Sequence, residues 1–479
     1  MASEQTILTL LESAYFGTGG FEFAAQDGEV ANTKASESYL VKHPREHHED
    51  FAARCKVAYY LNYMAPCVDA HVSPLFRREA TREVQGSGAA LAQWEAFAAD
   101  ADGAGTSLAD VMRAAATPAK RDGSVYLVVT APEEAPRSVA EAVLPGRHPY
   151  VYQVAALDVV SLVRDRFGRI VSFTHLESEP GETEARRRTL TSEGWMLTNA
   201  KGEVLESGEF ARPYTTAPVV EIRTGQMVRG WMLPRSQFVG IARASHRLFN
   251  LCSELDELFR GQAFAVLIYP SRDLAGLTIG VNNALGFDPE GKHAPAFIAP
   301  PDGPAKLLME HIDRLVREIY RQALLTHQTG TTGTSQTQNI ASGVALRIDR
   351  EALDTSLGDF AGTLEKAERQ VADLWSWWTG ESLEYQVGYP RDFVLQDEAT
   401  LLAPLFEAWT TLLAEMPPAL KAGLMERIGG ILLEDDPPRL EELIDYLNAK
   451  AVEDTAVQGQ AQQDQNGQPV QDQQGNTSA

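Results

Sequence analysis

The chain has 479 residues, 44% hydrophobic and 23% charged, with Asp and Glu outnumbering Lys and Arg by 66 to 42 for a net charge of −24. That length supports two to four globular units with substantial cores, and the acidity argues against a protein that holds duplex nucleic acid over a broad basic surface. Cys55, Cys67 and Cys252 show no C-x-x-C spacing, so neither a disulfide framework nor a zinc site is expected and a reducing cytoplasm fits.

Residues 1–50 start with a short amphipathic piece (Ile7, Leu8, Leu10, Leu11, Ala14, Tyr15) and pass into a Gly-rich polar stretch that reads as an arm, loose or resting on a neighbour. Met1–Gly20 lacks the basic segment of an export signal, and Phe264–Tyr269, the most apolar short run, is far too short to span a bilayer. No export and no membrane span are expected. Val57, Leu61, Met64 and Val68 predict one helix over 51–69, stopped near Ser73-Pro74, and a second follows over 91–99. Residues 124–130, 150–154, 170–175, 187–197 and 219–223 alternate as strands between Gly-containing turns, so residues 51–230 read as an α+β domain.

Three heptad-patterned helices come next. Phe238, Ile241, Ser245, Leu248, Cys252, Leu255 and Phe259 step by three and four along one seam. Leu308, Ile312, Leu315 and Ile319 repeat the stepping, opposite a wet face of Glu310, Asp313, Arg314, Arg317, Glu318 and Arg321. The third seam runs Leu353, Leu357, Phe360, Leu364, Ala367, Val371, Leu374, Trp378 and stops at Gly380. Between the first two lies a compact insert, 263–303, with the strand-like run FAVLIY and a Gly/Pro-rich stretch suited to pairing edges between subunits. Short helices over 401–413, 418–428 and 438–447 predict a small all-α unit, and the Gln-rich residues 451–479, without Lys, Arg or aromatics, predict a disordered tail.

Catalytic signatures are missing: no G-x-x-x-x-G-K-[ST], and no G-x-G-x-x-G opening a helix after a strand. His43, His47 and His48 beside Glu46, Glu49 and Asp50 lack H-E-x-x-H order and read as a solvated helix N-terminus. Glu434, Asp435 and Asp436 read as helix-entry charges, and Trp375, Trp377 and Trp378 as anchors for a neighbouring domain in preference to a base-stacking platform. Two features keep a functional reading. Residues 326–339, THQTGTTGTSQTQN, form a long polar loop with almost no large apolar group. Arg314, Arg317 and Arg321 make a stripe at i, i+3 and i+7, which competes with a solvated face paired to local Glu and Asp.

This order of pieces, with the stretches SYLVKHPREHHEDFAARCKVAYYLNYMAPCVDAHVSPLFRR and QNIASGVALRIDREALDTSLGDFAGTLEKAERQVADLWSWW, resembles the portal proteins (head-to-tail connectors) of tailed bacteriophages. The resemblance implies a non-enzymatic virion protein without cofactor or metal. It would form a ring, typically dodecameric, at one capsid vertex after assembly in the bacterial host cytoplasm. Partners would be copies of itself, double-stranded DNA moving during genome packaging and ejection, the terminase large subunit, the major capsid protein and a head-to-tail adaptor. Carried onto this sequence, 1–50 is an N-terminal arm, 51–230 the wing, 231–262 and 304–325 the two stem helices, and 263–303 the clip. Residues 326–339 become the tunnel loop, 340–395 a long helix returning to the wing, 396–450 the crown and 451–479 the tail. The DNA-channel candidates are then Arg314, Arg317, Arg321, His327, Thr331, Thr332, Thr334, Gln336 and Gln338, and the terminase-docking candidates Arg272, Asp273, Lys292 and His293. The alternatives are a cytoplasmic enzyme with an unrecognised active site, or another helical virion adaptor or scaffold.

Overall fold

The computed structural model describes residues 2–22, 38–131, 136, 138–144, 146–177, 185–262, 266–268, 296–298, 303–325 and 343–393. The chain divides into two units, Met1–Arg391 and Asp392–Ala479, and the elements below belong to the first. Antiparallel sheets and packed helices place it in the expected α+β class.

Helix α1 (Ala2–Phe16) buries Leu8, Leu11 and Ala14. It is fastened at both ends: Glu4 accepts the backbone amides of Met232 and Leu233, and Tyr15 donates to Asp69, while residues 23–37 of the Gly-rich polar stretch lie outside the described residues. The helix expected over 51–69 is two, α2 (His48–Val57) and α3 (Met64–Asp69), because the chain turns extended at Ala58. The break lets Tyr60 donate to the Ala14 carbonyl and pack its ring on Phe21 and Phe249. At the start of α2, Glu46 holds Arg54 with both oxygens at 2.8 and 2.9 Å, so this cluster is an ion pair at a helix entry. Among the described residues no group of three or more His, Cys, Asp or Glu is placed to hold a metal.

Strand β1 (Thr81–Gly86) leads into α4 (Gly88–Ala99) and α5 (Leu108–Asp122). Ser87 and Ser107 cap the two helices by accepting the Ala90 and Asp110 amides. The inner stripe of α5, Leu108, Val111, Met112, Ala115 and Ala119, lies on a three-stranded antiparallel sheet ordered β3 (Tyr150–Ala155), β2 (Ser124–Thr130), β9 (Val219–Arg223). The short α6 (Val139–Ala142) precedes β3. Gly123 joins α5 to β2 at φ +95°, where a Cβ would meet the Ser236 nitrogen at 2.8 Å and the Pro234 oxygen at 3.0 Å. Backbone strain and backbone overlap act together here, so Gly123→Ala should lower stability by ~1–3 kcal/mol in urea unfolding. A change below ~0.5 kcal/mol would contradict that placement.

A five-stranded antiparallel meander follows: β4 (Val159–Arg164), β5 (Ile170–Glu177), β6 (Arg186–Thr191), β7 (Gly194–Thr198) and β8 (Val204–Glu209). The strand expected over 187–197 is thus the β6–β7 hairpin. Phe173 of β5 packs on Tyr126 of β2, and this contact places the meander against the first sheet.

Helices α7 (Val239–Gln262) and α8 (Gly303–Gln322) pair antiparallel, with β10 (Val266–Ile268) and β11 (Ala296–Ile298) forming a small ladder in the insert between them. The 37-residue α9 (Gly343–Thr379) ends at Gly380, and β12 (Leu383–Gly388) pairs with β1 across some 300 residues of chain. Besides the predicted seam, α9 has a second buried stripe, Ala361, Glu365, Glu368, Ala372 and Trp375. The first stripe meets α5 and β2, with Phe360 under Lys120 and the Trp378 indole donating to the Val129 carbonyl at 3.0 Å. The second meets the β1–β12 ribbon and Trp94 of α4. Trp377 and Trp378 pack on Phe210 and Tyr214 as structural anchors.

Candidate functional site

The α7–α8 hairpin has two halves with different surroundings. Near the main body, Phe238 just before α7 is buried with Ile241, Ala242, Leu248 and Phe249 of that helix, and α8 buries Val316 and Ile319. There Asn250 ties α7 to the chain before α2, donating to the Tyr39 carbonyl and accepting the Val41 amide, and His71 donates to the Ala323 carbonyl just past α8 at 2.8 Å. In the half that leads to the insert, burial thins out, although Ala305 is closed off. Phe259 is 44% exposed, Leu307 68% and Met309 48%, while Leu255, Leu258, Leu308 and Ile312 are half-buried. Neighbouring positions such as 307, 308 and 309 point to different sides of a helix. Exposed or half-buried apolar groups therefore lie on more than one side of this half of α8, among the exposed Lys306, Glu310, His311 and Asp313.

The arginine stripe lies where periodicity placed it, exposed on α8. Arg321 is held by both oxygens of Glu318 at 2.8 and 2.6 Å, and Arg317 donates to the backbone carbonyl of Asp313 at 3.3 Å. Arg314 and Arg317 have no carboxylate within ion-pair distance among the described residues. Arg321 and the Gln322 amide hold the Glu318 carboxyl well below its ordinary range. Sequence reasoning missed Arg243 and Arg247, exposed one turn apart on α7. Their i, i+4 spacing on the wet side of a recognised seam was the available signal. His327, Thr331, Thr332, Thr334, Gln336 and Gln338, and Arg272, Asp273, Lys292 and His293, lie outside the described residues, as do 396–479.

Two clefts bear on the enzyme alternative. A 610 Å³ cleft between α9, β9 and the β4–β5 turn is lined by polar and charged groups, with Arg164 paired to Glu221 at 2.6 Å and no His, Cys or Ser in its wall. A 300 Å³ cleft beside β3 contains His175, whose two ring nitrogens are engaged by the Leu176 carbonyl and the Tyr152 hydroxyl. Burial pushes this imidazole below its ordinary value. No helix among the described residues is long and apolar enough to cross a membrane.

No family model matches the chain, and no curated protein matches it. Among solved structures it is similar to a chain in the neck of a native gene transfer agent particle computed with C12 symmetry, at 14% identity and TM-score 0.41, covering 72% of this chain and 84% of that one. It is similar to a chain in the neck of the empty particle computed with C6 symmetry, at 14% identity and TM-score 0.43, covering 75% and 88%. A chain in the virion of the native particle matches at 14% identity and TM-score 0.40, covering 75% and 88%.

Proposed function

We propose that this chain is a portal-type subunit: a ring-forming virion protein whose α7–α8 hairpins line a channel for double-stranded DNA. The observation that carries the reading is the uncovered apolar half of that hairpin, Phe259, Leu307 and Met309 with the half-buried Leu255, Leu258, Leu308 and Ile312. Exposed apolar groups on several sides of one helix pair call for partners on more than one side. A heterologous contact repeated about an axis supplies two neighbours to every copy and closes into a ring. At 1.5 Å per residue the 24-residue α7 is about 36 Å long, enough to line a substantial channel. The β10–β11 insert at the tip of the hairpin is then the clip on which a terminase and later an adaptor dock, and 326–339 the loop toward the lumen.

The test replaces Leu307 and Met309 together with Asp. Wild-type protein should sediment as a closed oligomer and show perforated rings in negative stain. The double variant should stay monomeric and folded, with wild-type circular dichroism and a thermal transition lowered only by the lost contribution of assembly, because neither side chain belongs to the monomer's core. Wild-type protein that stays monomeric at every accessible concentration, or a double variant that assembles like wild type, would overturn the reading.

A further inference from the structure

The hairpin is electrically polarised along its length. The Gln322 side-chain amide occupies the space a Cβ at Gly240 would need, which sets those two residues at one level. Counting 1.5 Å per residue from there, Arg243 and Arg247 on α7 and Arg314, Arg317 and Arg321 on α8 all fall within about 12 Å. All five are exposed, and Glu318 is the one acidic side chain of the two helices in that span. Arg321 takes Glu318, and Arg247 reaches Glu254 at 3.7 Å. Arg243, Arg314 and Arg317 have no carboxylate within ion-pair distance among the described residues. From about 13 to 26 Å the sign reverses, with Glu254, Asp256, Glu257, Glu310 and Asp313 against Lys306. The bands meet at the Arg247–Glu254 pair, and screening over about 10 Å at 0.1 M salt separates only their far ends.

We propose that the basic band is a polyphosphate-binding girdle whose occupation drives ring closure. This rests on the ring reading above. Rotation about one axis sets equal levels of neighbouring hairpins side by side, so each girdle meets another of the same sign. With Arg321 paired to Glu318 and Arg247 to Glu254, Arg243, Arg314 and Arg317 leave three uncompensated charges per copy at that level, and closing the ring concentrates them. A polyanion neutralises this repulsion and binds the closed ring better than separate copies, so it shifts the equilibrium toward closure. The acidic band repels phosphate and confines the contact to the body end. Unpaired, exposed guanidinium groups are suited to phosphate oxygens.

The experiment measures ring fraction by mass photometry of the full chain at fixed concentration, with short duplex DNA or inorganic polyphosphate added, alongside binding as a function of salt. Both polyanions should raise the ring fraction; a response to duplex alone assigns the girdle to nucleic acid. The R243Q/R314Q/R317Q variant should bind at least tenfold more weakly and lower the slope of log K against log salt by about 3. It should also close more readily than wild type when no polyanion is present. Wild-type rings that ignore both polyanions, or a variant with unchanged affinity and salt slope, would overturn the girdle and leave the ring reading standing. A chain that binds polyphosphate through these arginines yet never closes would overturn the coupling to closure and the ring reading together.

Discussion

Glu368→Ala should destabilise the protein by ~3–5 kcal/mol in urea unfolding at neutral pH, among the largest effects of any single substitution outside the apolar core. Glu368 is fully buried on the second stripe of α9, yet each carboxylate oxygen has two donors. Arg82 of β1 reaches it at 2.7 and 3.3 Å, the Tyr385 hydroxyl of β12 at 2.6 Å and the Tyr389 hydroxyl at 2.7 Å. Burial first, and then the Glu368 charge, push both phenols above their ordinary value, so they stay protonated as donors. Truncation strands a guanidinium whose side chain is only 26% exposed, together with two hydroxyls. Leaving such groups unpaired costs more than the original pair contributed. Glu368→Gln keeps the shape but loses the charge and one acceptor, so it should cost less, ~2 kcal/mol. Pairing Glu368→Leu with Arg82→Leu should recover part of the alanine loss, because the stranded charge is then gone. A cost below ~1 kcal/mol for the alanine variant would show that α9 and the β1–β12 ribbon are held together elsewhere, for example by Glu365, which accepts the Tyr389 amide and Arg391.

The same clamp shows why part of this fold could be read in advance and part could not. The seams of α7, α8 and α9 were legible because each repeats one physical demand, an apolar face every three or four residues. The second stripe of α9 escaped because two of its five members are glutamates, and only their partners explain their burial: Arg82 on β1 and Tyr385 on β12 for Glu368, Tyr389 and Arg391 just past β12 for Glu365. The two strands are some 300 residues apart in the chain, and no local signal announces such a pairing. Helix α5 escaped for the opposite reason: Pro118 within it mimics a breaker although Leu108, Val111, Met112, Ala115 and Ala119 keep helical stepping. Strand β8 is exposed along nearly all its length and therefore lacks the alternation that reveals a half-buried strand. At the hairpin, periodicity placed the α8 arginines but left open which had partners. Geometry answered with Glu318 for Arg321 and with exposure for Arg314 and Arg317.

Lys120→Met should stabilise the protein at pH 7, by as much as ~3 kcal/mol, and remove a rise in wild-type stability between pH 8 and pH 10.5. Lys120 is 4% exposed between α5 and α9, with its ammonium 3.2 Å from the Ser356 hydroxyl and over the Phe360 ring. Burial brings its pKa down from 10.5 to about 8, against a weak opposing pull from Asp359. Below pH 8 both folded and unfolded chains hold the proton, and the folded state bears the full cost of burying the charge. Between pH 8 and 10.5 the unfolded chain binds more protons, so stability rises with pH and the cost disappears. Methionine of similar length fills the site without a charge. His71 gives a dependence of the same sign in a lower window, stability falling as pH falls. Its Nδ1 is buried without a partner, and burial, then Lys120, bring its pKa from 6.5 to about 4. The folded imidazole stays neutral while the unfolded one protonates, so stability should fall by up to ~3 kcal/mol from pH 6.5 to pH 4. Because the Lys120 charge is one cause of that depression, the methionine variant should also lose less stability in acid than wild type. Urea unfolding from pH 4 to pH 10.5 checks both limbs. Identical pH profiles for the two proteins would show that Lys120 is hydrated in solution and that its charge does not reach His71.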